Sequence, residues 1–432
     1  MTWQEDYSNR IMKSAALPAR ELVRGEGCYV WDETGFAYLD FLAGIAVNSL
    51  GHAHPALVDA VSRQVATLVH VSNYFANPPQ LELAERLVRL AGAGAGAGGG
   101  AGAGGGAATN GRVYFCNSGA EAIEAAVKLA RRTGRPRILS LKNSFHGRTM
   151  GSLALTGKPA LREPFEPLLS DVDHIDSTIE ALEAALGPDV AALVVEPIKG
   201  EAGVIPLPPG YLQAARELTS RHGVLLIVDE IQTGAGRTGE WFAFQSAGIL
   251  PDAITVAKGI GGGVPIGALV TFGAASELLT AGQHGSTFGG NPLATAAANA
   301  VLGEIEAAGL VENARVRGQQ LVAAITGLPL VEEVRGAGLL IGVGLSAPVA
   351  SVVVTRALEH GLIINAPNDT SIRIAPPLII GDAEIAEFTE KFTAALTEAL
   401  TEALTEAELS NTAFTNPALT NTALTNTSEA QP

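Results

Sequence analysis

Two residues at the ends of successive apolar runs carry the strongest chemical signal in the chain. The run VLLIV (224–228) closes on the acidic pair Asp229 and Glu230, and beyond the Gly-rich turn QTGAGRTG a second run, AITVA (253–257), delivers Lys258. Short continuous runs of this kind read as strands of a parallel sheet covered on both faces, and in such sheets ligands sit at the carboxyl ends. Asp229 and Lys258 both fall at such ends. The segment after the lysine, GIGGGVP, offers almost no side chain to solvate an ammonium. Desolvation favours the neutral amine, the form that adds to a carbonyl to make a Schiff base. Taken alone, Lys258 reads sooner as a solvated lysine capping a strand. A buried carboxylate on the neighbouring strand, however, needs a positive partner, and a protonated pyridine nitrogen is one. The pair therefore suggests pyridoxal phosphate.

The elements that position this pair follow from the pattern around it. Residues 112–275 alternate strand-like and helix-like segments, the signature of a parallel sheet wound with helices. The strand RVYFCN runs through Ser118, Gly119 and Ala120 into a helix. Ser118 and Glu121 have capping-box spacing, and the same helix start presents bare N–H groups and a positive dipole end to an anion such as a phosphate. After RILSLKN come Phe145, placed to cover a planar cofactor, and Arg148, placed to clamp a carboxylate; a packed loop Phe and a surface Arg are the plain alternatives. AALVVE closes on Glu196, and Glu201 follows on the next loop. Further on, GSTFGGNP offers the hydroxyls of Ser286 and Thr287 on a Gly-rich loop, suited to a phosphate or a carboxylate. Arg373 stands mid-strand in SIRIAPPLII, and a buried arginine requires an anion, either an internal carboxylate or a substrate.

Outside this region, residues 21–44 read as a hairpin about Asp32 to Gly35, followed by helices over 55–70 and 78–90. His52 and His54 read as a turn before the first of these helices, and no metal is expected. Residues 91–111 are nearly pure Ala and Gly and read as a flexible insertion; no strand precedes them, so their G-x-G patterns fail as a dinucleotide fingerprint. The division expected is an N-terminal segment of a small domain (1–60), a large cofactor-binding domain (61–312), a C-terminal α+β part of the small domain (313–409) ending in a helix from Asp382 to Leu409, and a disordered tail (410–432). With 28 basic against 44 acidic residues the net charge is −16, which argues against nucleic acid or an anionic membrane as partner. Two cysteines, no basic leader and no apolar stretch of about 20 residues point to a cytoplasmic protein without a disulfide framework.

Five spaced elements, NSGAEA, FHGRT, EPIKGEAGV, DEIQTGAGRTG with Lys258 beyond it, and GSTFGGNP, together resemble the class III, ornithine-type aminotransferases of fold-type I over residues 15–398. The resemblance implies an α/β fold whose large domain has a mostly parallel central sheet wound by helices, with a smaller α+β domain formed by both chain ends. It implies pyridoxal 5′-phosphate as cofactor. Lys258 would be the Schiff-base lysine and proton shuttle, Asp229 the partner of the pyridine nitrogen, and Gln232 a donor to the phenolic oxygen. Phe145 would stack on the ring, and Ser118, Gly119 and Ala120 would hold the phosphate, with Thr287 from the other subunit of a homodimer. Arg148 and Ser286 would meet the far end of the amine donor. Arg373 would grip glutamate's α-carboxylate, and Glu201 would cover Arg373 when the other substrate is bound. The tracts GIAVNSLGHAHP and HVSNYFANPP resemble the branch that moves the amino group of N2-acetylornithine to 2-oxoglutarate, and Ile45, where ornithine-specific members carry an aromatic, fits that branch. Lys199 departs from the family's usual glutamine. A same-fold aminomutase and a non-catalytic nucleotide-binding module are the rival readings; succinylornithine and 4-aminobutyrate are rival donors.

Overall fold

The computed structural model describes residues 2–92 and 110–415. Most of the Ala/Gly stretch thus lies outside the described residues. Ala91 and Gly92, read above as its start, instead complete the helix Pro78–Gly92, where Ala91 is buried.

Near the N-terminus β1 (Leu22–Glu26), β2 (Tyr29–Asp32) and β3 (Ala37–Asp40) form an antiparallel meander, one strand more than the expected hairpin. Asp32 fixes the turn: its Oδ1 accepts from the N–H groups of Thr34 and Phe36, both at 3.0 Å. The middle of the chain supplies β4 (Arg112–Cys116), β5 (Arg137–Leu141), β6 (Val172–Ile175), β7 (Val190–Val195), β8 (Ile198–Lys199), β9 (Ile205–Pro206), β10 (Leu225–Asp229), β11 (Ala253–Val256) and β12 (Gly267–Thr271). Seven of these make one sheet in the order β4-β12-β11-β10-β7-β5-β6. Every pairing in it is parallel except those of β12, which runs antiparallel to both neighbours. Six strands therefore point their carboxyl ends at the same edge. Their apolar runs are continuous because both faces are covered: all six residues of β7 are buried.

The last part adds β13 (Val331–Ala337), β14 (Leu340–Leu345), β15 (Leu362–Ile363), β16 (Asn365–Asn368) and β17 (Ser371–Ile374). The order β13-β14-β17-β16 is antiparallel, whereas β15 pairs in parallel with β3, so both chain ends build the smaller α+β unit. Aromatic stacking reinforces that junction. Phe388 stacks on Phe41 with centroids 4.4 Å apart and on Phe392 at 5.2 Å, and all three are buried. Phe388→Ala leaves a cavity between the two ends and is expected to cost about 3–5 kcal/mol, read as a lower urea midpoint for the cooperative loss of this unit.

The final helix, Asp382–Thr415, runs past the expected stop at Leu409. Residues 410–415 contain neither Gly nor Pro, and the first breaker is Pro417. The expected disorder of 416–432 falls outside the described residues.

Candidate active site

The carboxyl edge of the central sheet opens into a cavity of about 480 Å³. Segments that follow β4, β5, β7, β10 and β11 all reach it, and so does the Gly263–Ile266 segment that precedes the reversed strand β12. Ser118, Gly119, Ala120, Phe145, Arg148, Asp229, Gln232 and Lys258, eight residues singled out from the sequence, line this one space.

Lys258 sits two residues beyond β11 with φ +47°, a left-handed conformation that costs a non-glycine residue on the order of 1 kcal/mol or more. Burial lowers the pKa of its amine; the Glu201 carboxylate opposes that shift and the Arg373 guanidinium adds to it. Among the described residues Lys258 Nζ has no hydrogen-bond partner. Asp229 ends β10 almost fully buried. Its Oδ1 accepts from Thr255 Oγ1 and the Ile231 N–H, each at 3.1 Å, while Oδ2 lies 2.7 Å from His146 Nδ1. Burial opposes a charge on His146, but the hydrogen bond and charge of Asp229 prevail and raise the imidazole pKa.

Ser118 caps the helix Gly119–Arg131, its Oγ accepting from the Glu121 N–H at 3.2 Å. The return arm of the expected capping box does not close on Ser118. Glu121 Oε2 reaches one residue further, to the N–H and Nδ2 of Asn117 at 2.8 and 2.9 Å. The first N–H groups of the helix, at Gly119 and Ala120, have no intrahelical acceptor, and both residues line the cavity. Gly119 also permits close packing, since a Cβ there would lie 2.8 Å from Ile231 Cδ1.

Arg373, mid-strand on β17, is 1% exposed and ion-pairs with Glu201. Its Nε donates to Asn365 Oδ1 at 3.0 Å and its Nη1 to Gln232 Oε1 at 3.3 Å, whereas Nη2 is buried without a partner among the described residues. Burial acts to raise the Glu201 pKa, but Arg373 outweighs it and holds the carboxylate below its ordinary range. Through Gln232 this pair adjoins the cavity. Ser286 stands slightly apart, its Oγ accepting from Asn117 Nδ2 and the Gly289 N–H at 3.0 Å each. Thr287 is exposed and does not reach the cavity of its own chain.

Sequence reasoning gave no role to three groups that the fold brings in. His146 is fully buried against Asp229. Glu196 accepts from the Phe145 N–H at 2.9 Å, and burial pushes its pKa up to about 7. Ala43 to Ala46 form a left-handed turn, with φ between 50° and 68° at Ala43, Gly44, Ile45 and Ala46, that delivers Val47 to the cavity. Ile45 itself faces outward, 36% exposed, and does not line this cavity. The histidine sat inside a motif already singled out, next to the expected ring cover; nothing local in AGIA announces four successive positive φ values.

The sequence profile described as Aminotransferase class-III matches residues 12–396. The chain belongs to the class III aminotransferases. This class III chain is 50% identical over 388 residues to the acetylornithine aminotransferase of Streptomyces coelicolor, covering 89% of this chain and 92% of that one. Among solved structures it is similar to the ornithine aminotransferase of Toxoplasma gondii, described with PLP partially occupying its active site (32% identity, TM-score 0.85, 93% and 95% covered). It is similar also to the N-acetylornithine aminotransferase of Stenotrophomonas maltophilia (34% identity, TM-score 0.76, 92% and 99% covered). The cavity of this class III chain suits pyridoxal phosphate on its own terms. It joins a buried carboxylate, an amine without a hydrogen-bond partner among the described residues, and bare helix N–H groups in a space of cofactor size.

Proposed function

We propose that this class III aminotransferase moves the δ-amino group of N2-acetyl-L-ornithine to 2-oxoglutarate, giving N-acetyl-L-glutamate 5-semialdehyde and L-glutamate. The observation that carries the reading is the Glu201–Arg373 pair beside Lys258. Pyridoxal phosphate, when bound, supplies an aldehyde to take up the amino group and a protonated ring to delocalise the electron pair left by C–H cleavage. Asp229, held by Thr255, the Ile231 N–H and His146, would offer its negative charge to the ring nitrogen. Gln232 would meet the phenolic oxygen, Phe145 would cover the ring, and Ser118, Gly119 and Ala120 would receive the phosphate. Lys258, its amine favoured in the neutral form, would take the proton from the amino-bearing carbon of the donor and hand it, within the same half-reaction, to the carbon that bore the cofactor's aldehyde; the reverse half-reaction runs the same transfer backwards. Arg148 and Ser286 serve the far end of acetylornithine. We place Thr287 on the partner's phosphate in a homodimer, because it is exposed and clear of its own cavity.

Two donors share this site. Glutamate carries a carboxylate on its reacting carbon and pairs it with Arg373, whose Nη2 has no partner among the described residues. The δ-carbon of acetylornithine carries none, so Glu201 stays on the arginine and spares a buried unpaired charge. Glu201→Ala is therefore expected to lower kcat/KM for acetylornithine about tenfold relative to glutamate, measured in separate single-turnover half-reactions. An unchanged ratio contradicts the switch. The substrate assignment is tested by presenting acetylornithine, ornithine, succinylornithine and 4-aminobutyrate separately to the loaded enzyme. Acetylornithine is expected to react fastest, and a place among the slowest donors overturns the assignment.

A further inference from the structure

Glu201 borders a second cavity, of about 350 Å³, which Lys258 does not line. Asn143, Lys158, Lys199, Ala202 and Asn368 line it together with Glu201. Its two ammonium groups are differently engaged. Lys199 is buried and donates to the Lys142 carbonyl at 2.8 Å and to Ser177 Oγ at 2.5 Å, so it serves as an anchor. Lys158 Nζ donates at 2.5 Å to the backbone oxygen of Glu201 itself and has no other hydrogen-bond partner among the described residues. An ammonium has three donors, so Lys158 keeps two in reserve.

The backbone around Glu201 is pinned. Successive carbonyls of Glu201, Ala202 and Gly203 accept from Lys158 Nζ, from Asn368 Nδ2 at 3.1 Å and from Arg335 Nε at 2.9 Å. Gly342 lets this turn approach the sheet, since a Cβ there would lie 2.5 Å from the Gly203 oxygen. Release of Arg373 must therefore come from rotation of the Glu201 side chain on a fixed backbone. A displaced, half-buried carboxylate without a cation is costly. A cation bonded to a residue's own carbonyl oxygen lies within a side-chain rotation of that residue's carboxylate, and the second cavity supplies the room.

We propose that Lys158 receives the Glu201 carboxylate when the donor's α-carboxylate takes Arg373, making a two-position switch with one cation at each stop. The inference rests on the dual-substrate reading of Glu201 and Arg373 given above. Lys158 touches neither substrate; it is a positioning residue, and it selects for glutamate by stabilising the displaced acid.

The test uses holoenzyme in separate half-reactions with glutamate and with acetylornithine. Lys158→Gln keeps a donor for the Glu201 carbonyl but removes the charge, and Lys158→Met removes both. Each is expected to raise KM for glutamate about tenfold with kcat and the acetylornithine half-reaction nearly unchanged, and Lys158→Arg is expected to restore the wild-type ratio. In a Glu201→Gln background, Lys158→Gln is expected to have no further effect on the ratio. If Glu201→Gln shifts the ratio but neither Lys158 variant does, Lys158 is not the receiver and the switch survives without it. Rescue by Lys158→Gln, with loss only in Lys158→Met, shows a purely structural clip and overturns the proposal. If Glu201→Gln leaves the ratio unmoved, the dual-substrate reading falls and takes this inference with it.

Discussion

Lys258→Ala is expected to reduce turnover on the order of 10⁴-fold with every donor, because proton transfer at the amino-bearing carbon loses the positioned base of this cavity. The local geometry makes the test clean. Lys258 Nζ has no hydrogen-bond partner among the described residues, so its removal strands no protein donor or acceptor. The left-handed φ of +47° is equally strained for alanine, and folding stability should therefore hardly change. A small primary amine added to the variant is expected to restore part of the rate, since it fits the space the side chain vacates. Steady-state rates with and without methylamine, alongside thermal unfolding of the same sample, check both halves of this expectation. A loss of turnover that tracks a loss of folded protein contradicts it.

The second large effect is expected at Asp229. Asp229→Asn keeps the shape and the acceptor toward Thr255 but removes the charge, and kcat is expected to fall on the order of 10³-fold as electrostatic support for the ring nitrogen is lost. A second readout is independent of the reaction. In the wild type Asp229 raises the pKa of the buried His146 against the pull of burial. A group whose folded pKa is raised stabilises the fold fully below its unfolded value, near 6.5, and that contribution fades as pH rises through the higher folded value. In Asp229→Asn burial is opposed only by the charge of Glu196, so the His146 pKa is expected to move down and the pH-dependent stability to disappear from that window. Imidazole NMR titration of the cofactor-free protein measures this directly, and a His146 titration unchanged by the substitution contradicts it.

Much of this arrangement is legible in the chain, and the physical reason is the same at each place. Strands buried on both faces must be continuously apolar, so VLLIV, AITVA and AALVV declare themselves. Residues at their carboxyl ends then share one edge without further information. That is how Asp229, Phe145, Ser118 and Lys258 are assembled from positions spread over 140 residues. Arg373 is legible for the complementary reason, a charge placed where the pattern demands burial. What stays hidden depends on tertiary geometry. The reversal of β12 is invisible because an antiparallel strand inside a covered sheet is as apolar as its neighbours. Pairing of β15 with β3 joins residues more than 300 positions apart. The left-handed turn Ala43–Ala46 and the strained φ of Lys258 are imposed by their surroundings, and the path of Glu121 to Asn117 instead of Ser118 turns on a single residue of reach.

The central claim is that the amine at position 258 is the group that joins the cofactor's aldehyde. Borohydride treatment of the holoenzyme followed by peptide mass spectrometry tests it most directly. The expected result is a pyridoxyl-phosphate mass increment confined to the peptide containing Lys258. A label on another lysine, or an unmodified Lys258 in protein that turns over acetylornithine, contradicts the account.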